Sequence, residues 1–371
     1  MEMGCKCLFD HPAKTQLTHF SPQFYLNLPL AVFMAPSFIS FPKYNPIPTL
    51  NWRQKTASLD WLGICLNAFV WVFLIIALTM SGSTWTWSSA PAITFWVLSG
   101  FFLISYILQQ RFTILTSKAN RIFPVQFLAR REFILLFVVT AAASTSFAIP
   151  LYYIPLFFQF TRGDTPLQAA VRLLPYILMF IFFVMLAGGS LPAVGRYAPY
   201  YPVGGVLIMI GGALMATLVH PDTPNANIYG YTVLIGIGTG LTFQNGYSVA
   251  AAIVKPGAKE DGQAIGYINT AQVGCIALGL SMAGCIYQNV GYNTLASALA
   301  SYHLPEAAVR SALAGAESSL FQQEALREVT IAAVVGTMSK LYWLVFAGGA
   351  VLVASSPFLR WGKLALEIGG A

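Results

Sequence analysis

The side chains able to do proton, metal or nucleophilic chemistry are few, and they stand apart. The chain has 371 residues with 13 Asp+Glu and four His. The acids are Glu2, Asp10, Asp60, Glu132, Asp164, Asp222, Glu260, Asp261, Glu306, Glu317, Glu324, Glu328 and Glu367, and the histidines His11, His19, His220 and His303. An iron-dependent desaturase or hydroxylase needs clustered histidines, and an intramembrane protease needs paired catalytic groups; neither pattern is present. Cys5, Cys7, Cys65, Cys275 and Cys285 show no disulfide framework, and Cys5-Lys6-Cys7 is a weak metal or lipidation signal. The expectation is a protein that is not an enzyme, with no catalytic residue, metal or cofactor. What remains is uncharged polar residues set in apolar runs: Tyr152, Tyr153, Gln159, Gln244, Asn245, Asn269 and Gln272. Such groups are costly in a bilayer. They serve either interhelical hydrogen bonds, at about 0.6–2 kcal/mol each, or a largely apolar cavity that binds a hydrophobic compound through a few orienting contacts.

The elements that must position them are membrane helices. Hydrophobic residues make up 57% of the chain and charged ones 9%, against about 45–50% and about 25% in a soluble domain. So few charges cannot cover a water-facing surface, and so apolar a chain is not disordered. The net charge of +7 is spread over separated short loops, which excludes nucleic acid as a partner and leaves the lipid bilayer. A spanning helix needs about 20 mostly apolar residues. Nine stretches qualify: 24–41, 62–80, 93–108, 133–158, 173–191, 203–219, 229–254, 265–287 and 341–358. No charged residue occurs from 61 to 110, but the polar, Trp-bearing stretch 81–91 ends in Pro91 and divides this run into a helical hairpin. Residues 304–339 are more polar and read as an external helix near the membrane surface.

When the loops are numbered alternately, 13 of the 20 Lys+Arg fall in one set: Lys43, Arg53, Lys55, Arg111, Lys118, Arg121, Arg130, Arg131, Arg196, Lys255, Lys259, Arg360 and Lys363. The other set holds Arg162, Arg172, Arg310, Arg327 and Lys340. The positive-inside rule makes the first set cytoplasmic, places the C-terminus inside and starts the first span outside. Residues 1–24 contain no apolar core of a secretory signal that would explain an external start.

Several segments resemble a known family. Tyr152-Tyr-Ile-Pro-Leu-Phe-Phe-Gln159, followed by Arg162-Gly-Asp-Thr-Pro-Leu-Gln-Ala-Ala170 and Arg172-Leu-Leu-Pro175, is similar to the ninth-to-tenth helix junction of fourteen-span drug:proton antiporters of the major facilitator superfamily, fungal members above all. Phe24-Tyr-Leu-Asn-Leu-Pro29 resembles the start of that family's sixth helix and Leu59-Asp-Trp-Leu-Gly63 the start of its seventh. Ala283-Gly-Cys-Ile-Tyr-Gln-Asn289 resembles the end of its thirteenth. The resemblance implies an all-α polytopic membrane protein of the major facilitator fold. Its nine spans would be helices six to fourteen, with a complete C-terminal six-helix bundle and five earlier helices missing. The implied divisions are a tail 1–23, the last helix of the N-terminal bundle with its loop at 24–58, two linker helices with a basic loop at 59–132, and the bundle at 133–371. The implied function is efflux of small lipophilic compounds such as drugs, toxins or secondary metabolites across the plasma membrane, coupled to protons in the full-length family. The alternative is a non-transporting remnant or a partner-binding membrane protein. The oligomeric state is not legible.

By the same resemblance the fourth and seventh spans face the pore, which favours Tyr152, Tyr153, Gln244 and Asn245, with Gln159 beside them, as cavity residues. Asn269 and Gln272, three apart on one helix face, are expected to pack. Gly188 and Gly195-Arg196 match the spacing of the superfamily's cytoplasmic loop signature, but Pro192 stands where its carboxylate belongs. From the residues themselves, Pro150 and Pro155 withdraw backbone donors, as a simple kink or as part of a cavity-lining gate. Gly204 with Gly211, Gly205 with Gly212, Gly236 with Gly240 and Gly262 with Gly266 form repeats that allow close helix packing. Thr165-Pro166-Leu167-Gln168 has the form of a capping box that would start the fifth span. None of the 13 acids lies inside an expected span, whereas proton coupling needs a titratable group at membrane depth. Asp60 and Glu132 stand at helix starts, where negative charge suits the dipole.

Overall fold

The computed structural model describes residues 29, 31, 32, 34, 36, 51–57, 59–118, 120–254, 261–315 and 318–363. Two compact units divide the chain, Met1–Ser58 and Leu59–Ala371. In the first, the described residues within the expected span 24–41 are helical, and a short helix runs Trp52–Ala57. The remainder of that span, and the Cys5-Lys6-Cys7 signal, lie outside the described residues.

The second unit is helical, with no strand among the described residues. Its hairpin is α1 (Trp61–Met80) and α2 (Ala90–Phe112). Asp60 caps α1 by accepting the Gly63 N–H at 2.9 Å, as its place at a helix start implies. The hairpin turns because the Met80 carbonyl accepts from Ser83, Thr84 and Trp85 and because Gly82 adopts a positive φ of 77°. Phe73 of α1 stacks on Phe102 of α2 with ring centroids 5.1 Å apart, so the paired helices zip through aromatic side chains.

The bundle follows with α3 (Arg131–Arg162), α4 (Pro166–Arg172), α5 (Leu174–Val194), α6 (Tyr200–Thr217), α7 (Asn225–Thr242), α8 (Asn245–Val254), α9 (Asp261–Ala298), α10 (Glu306–Ala314), α11 (Ser319–Gln322) and α12 (Glu324–Ser355). The capping box is present: the Thr165 hydroxyl accepts from Gln168 N at 3.4 Å and Gln168 Oε1 from Thr165 N at 3.0 Å. It opens the short helix α4 rather than the long apolar helix, because Pro175 restarts the chain at α5.

Helix α6 is held by backbone contact on two sides. A Cβ on Gly204 would stand 2.6 Å from the Gly238 carbonyl oxygen of α7, and one on Gly205 2.9 Å from that of Gly349 on α12. Gly211 and Gly212 repeat the arrangement against Tyr231 and Phe346. Gly236 and Gly240 admit α5, whose Tyr176 and Phe180 carbonyls a Cβ would meet at 2.8 and 2.6 Å. Gly262 and Gly266 differ: nothing lies within 4 Å, so that pair does not serve packing. Helix α3 runs through the middle of the bundle against α9, α12 and α7, and its buried face carries Phe133, Leu136, Ile149, Ile154 and Phe158.

Charged residues close the described loops at the two ends of α3, which starts beside Glu132 and ends at Arg162. At one, Arg360 pairs with Glu132 at 3.7 Å and its N–H bonds the Tyr197 hydroxyl. At the other, Arg162 donates to the carbonyls of Pro221 and Thr223. Glu132 therefore serves an ion pair in the first turn of α3, without capping it.

Seven helices among the described residues are long and apolar enough to cross a membrane. Two expectations change. The apolar run 229–254 is broken at Phe243-Gln244 into α7 and α8. The stretch 304–339 is not a single external helix: α10 and α11 take its first part, and from Glu324 onward it is the beginning of α12. Lys340, expected in an outer loop, is an exposed residue in the middle of that 32-residue helix.

The glycine contacts set a clear contrast. Gly204→Ala forces α6 and α7 apart and lowers stability by about 1–3 kcal/mol, the usual cost of overpacking. Gly266→Ala meets open space and is neutral or stabilising by about 0.5–1 kcal/mol. Thermal melts of the two variants in detergent, read against the parent chain, check both.

Candidate functional site

A cavity of about 310 Å³ opens among α1, α3, α9 and α10. Helix α3 contributes Tyr152, Tyr153 and Leu156, and α9 contributes Leu280, Ser281, Gly284, Tyr287 and Gln288, which recur at helical spacing along one face. Thr79 of α1 and the end of α10 at Leu313 complete the lining, and no lining residue is charged. Tyr152 is 55% exposed while Tyr153 is 2% exposed. The Tyr153 ring lies 5.6 Å from that of Tyr287 and the Tyr152 ring 5.1 Å from that of Tyr153. The Tyr287 hydroxyl donates to the Leu313 carbonyl at 3.3 Å, which fastens α10 beside the cavity. Next to the lining residue Gln288, Asn289 bonds the hairpin turn at Ser81, so the cavity lies directly beneath that turn.

Pro150 and Pro155 sit inside α3, which continues through both. Each missing N–H leaves the carbonyl four residues earlier without its helical donor. The surrounding turns are tied elsewhere: Ser146 Oγ donates to Ala142 O at 2.9 Å and Val345 O at 3.4 Å. Tyr176 OH donates to Phe147 O at 3.1 Å. The two tyrosines are thus carried by a continuous rod with neighbours on α5 and α12.

Gln159, Gln244 and Asn245 do not join Tyr152 and Tyr153 in the lining. Gln159 is half-buried, seven residues further along α3, and Gln244 is exposed. Asn245 is buried and donates to the Leu241 carbonyl at 2.8 Å, which repairs the ladder where α7 breaks. Asn269 and Gln272 meet the same need from α9. Gln272 Nε2 donates to the Phe243 carbonyl at 3.1 Å, and Tyr247 OH lies 2.7 Å from Gln272 Oε1 and 3.0 Å from Asn269 Oδ1. In lipid a broken helix persists only where such partners are found.

At the opposite end Gly195 ends α5 with φ +63° and donates to Leu191 O at 2.8 Å. Gly188 has open space around it and Arg196 is exposed. Tyr197 beside them is buried, and that burial pushes its phenol above the usual value. The carboxylate of Asp60, 2% exposed, also accepts from Gln109 at 2.9 Å and Gln110 at 2.8 Å, closing the hairpin at its base. At the α4 end of the bundle Arg172 bonds Asp164 and Tyr229. The hydrogen bond to Asp164 is the largest influence holding its proton more tightly than in a free arginine. Sequence reasoning missed Thr79, Ser281, Tyr287 and Gln288. The helical repeat of the three α9 residues was the available signal.

No family model matches the chain. It is 37% identical over 347 residues to an MFS-type transporter, pgmG, of Aspergillus terreus, covering 92% of this chain and 60% of that relative. It is 34% identical over 343 residues to the efflux pump patC of Aspergillus clavatus, covering 91% and 62%. A phomenoic acid biosynthesis cluster MFS-type transporter of Leptosphaeria maculans is 34% identical over 359 residues, covering 91% and 56%. The chain spans somewhat under two thirds of the length of these curated relatives.

Gln272→Leu leaves the Phe243 carbonyl without its amide donor and the Tyr247 hydroxyl with Asn269 alone, at a cost of about 1–3 kcal/mol. Amide hydrogen exchange across α8 then accelerates while exchange across α6 is unchanged. Equal protection of α8 in the variant and the parent would refute this role.

Proposed function

We infer the function of this chain from its kin: over the span they share it belongs with the MFS-type transporters of the major facilitator superfamily, and we propose that it binds small, uncharged lipophilic compounds for efflux. In this proposal α1–α2 is the linker pair between two bundles and α3–α12 form the C-terminal bundle. The C-terminus is cytoplasmic and the membrane is the plasma membrane. The observation that carries the reading is the cavity. Its lining combines tyrosine rings and leucines with hydroxyl and amide groups of Thr79, Tyr152, Ser281 and Gln288, and no charge. Such a wall favours an apolar body by burial, about 25 cal/mol per Å², and orients it through a few hydrogen bonds. A charged ligand would lose its hydration with no counter-ion in return. Relatives named as efflux pumps support the direction of movement.

A second reading, that the chain binds such compounds without pumping them, is favoured by the placement of acids. Asp164, Glu306 and Glu132 pair with arginines near helix ends, and Asp60 is held by amides at the hairpin base. Among the described residues no carboxylate lines the cavity.

The experiment uses the whole chain in lipid nanodiscs with the neutral dye Nile red. Saturable binding is expected, and Tyr152→Ala, which removes an exposed ring from the wall, weakens it about tenfold, equivalent to 1.4 kcal/mol. Unchanged affinity in that variant would exclude the cavity. In proteoliposomes an imposed proton gradient separates the readings: dye movement driven by the gradient supports efflux, and gradient-independent binding supports the second.

A further inference from the structure

We propose that the α1–α2 hairpin is a wall of the ligand cavity, not merely a connector, and that Asn289 is the positioning residue that seats it. The inference rests on the cavity being the ligand site. Asn289 lies on α9 next to Gln288, a lining residue, and its side chain docks into the hairpin turn. Its Nδ2 donates to the Ser81 carbonyl at 3.2 Å and to its own helix at Cys285 O at 2.9 Å. Its Oδ1 accepts from the Trp87 indole N–H at 3.2 Å. One amide thus fastens both ends of the turn.

The turn is shaped around that amide. Gly82, with positive φ, lies so close that a Cβ there would overlap the Asn289 side chain. Ser81 is fully buried, and its hydroxyl accepts from Trp96 Nε1 at 3.2 Å, which braces the turn from α2. Thr79, the hairpin's lining residue, stands two positions before Ser81, so the point at which Asn289 grips Ser81 fixes where Thr79 faces the α3 tyrosines. Deeper in the bilayer, Gly274 of α9 admits the Trp71 ring of α1, which a Cβ would meet at 2.5 Å. The seam is therefore close-packed at mid-depth and hydrogen-bonded at the outer end, and the cavity sits at the outer, hydrogen-bonded end. Loss of the amide leaves the Ser81 carbonyl and the Trp87 N–H without this partner and frees the turn to shift, widening the cavity on the α1 side. A site held loosely binds less well and discriminates less by size.

The test measures dissociation constants of Nile red and of the smaller neutral dye phenylnaphthylamine on the whole chain in nanodiscs, for the parent, Asn289→Ala, Trp87→Phe and Tyr152→Ala. Asn289→Ala is expected to weaken Nile red about fivefold and phenylnaphthylamine more strongly, because a widened cavity penalises the smaller ligand most. General destabilisation would weaken both alike. Trp87→Phe removes the indole N–H while keeping an aromatic ring at a half-exposed position stacked on Trp96, retains the fold, and is expected to give a two- to threefold loss with the same shift in selectivity. If Tyr152→Ala weakens binding while Asn289→Ala and Trp87→Phe leave both affinities and their ratio unchanged, the hairpin is not a wall and this inference falls alone. If none of the three changes binding, the cavity reading falls and takes the inference with it. If Asn289→Ala does not fold, Trp87→Phe decides.

Discussion

Contact between bare helix backbones governs this structure. Between membrane helices there is no hydrophobic force, since lipid tails are as apolar as leucine, and association depends on how closely the surfaces meet. Gly204 and Gly205 are adjacent in sequence yet face different partners, Gly238 of α7 and Gly349 of α12. A single level of α6 is therefore in contact on two sides, and a second level at Gly211 and Gly212 sets its inclination. That tight three-helix seam leaves little room for a ligand. The space occurs instead where α3 and α9 meet the hairpin, and there the side chains are tyrosine, leucine, serine and glutamine.

Polar groups follow the same economy. At the break between α7 and α8 the exposed carbonyls find amides from Asn245 and Gln272. At the hairpin base two adjacent glutamines, Gln109 and Gln110, close on Asp60, and Gln110 reaches on to the Phe123 N–H at 3.0 Å. Gln126 then bonds Gln263 at the start of α9 at 2.7 Å. Uncharged amides serve these points because an amide both donates and accepts, so one side chain, as at Gln272 and Gln110, meets a backbone group and a side chain at once.

Much of the fold was legible in the sequence because bilayer spans are written in composition. The charge-free run from Trp61 to Gln110 with its polar middle became α1, a turn and α2, and the paired glycines of α6 announced its two packing faces. Other features were hidden for physical reasons. The run 229–254 carries no charge, and hydropathy does not register a lost backbone hydrogen bond, so nothing in it marked Gln244 and Asn245 as the neighbours of a break. The polarity of 304–339 suggested a surface helix, yet the residues from Glu324 are continuous with α12, because a helix continues wherever its own ladder is intact, whatever the solvent. Of the cavity, Tyr152 and Tyr153 stood out beside two prolines. Thr79 and Gln288 did not, since the other walls of the cavity, Tyr152 and Tyr153, lie far from both in the chain.

The uncharged lining has a consequence for the setting in which the cavity works. Interactions between exposed charges fade beyond about 8–10 Å at physiological ionic strength, and groups that titrate near neutrality follow the acidity of their surroundings. A wall of phenols, hydroxyls and an amide does neither. For the uncharged guest proposed for it, such a wall would give a hold insensitive to salt and to the acidity of the medium. Under the proposed function, letting such a guest go would therefore require rearranging the walls themselves, through displacement of helices, and not a change of charge at the point of contact.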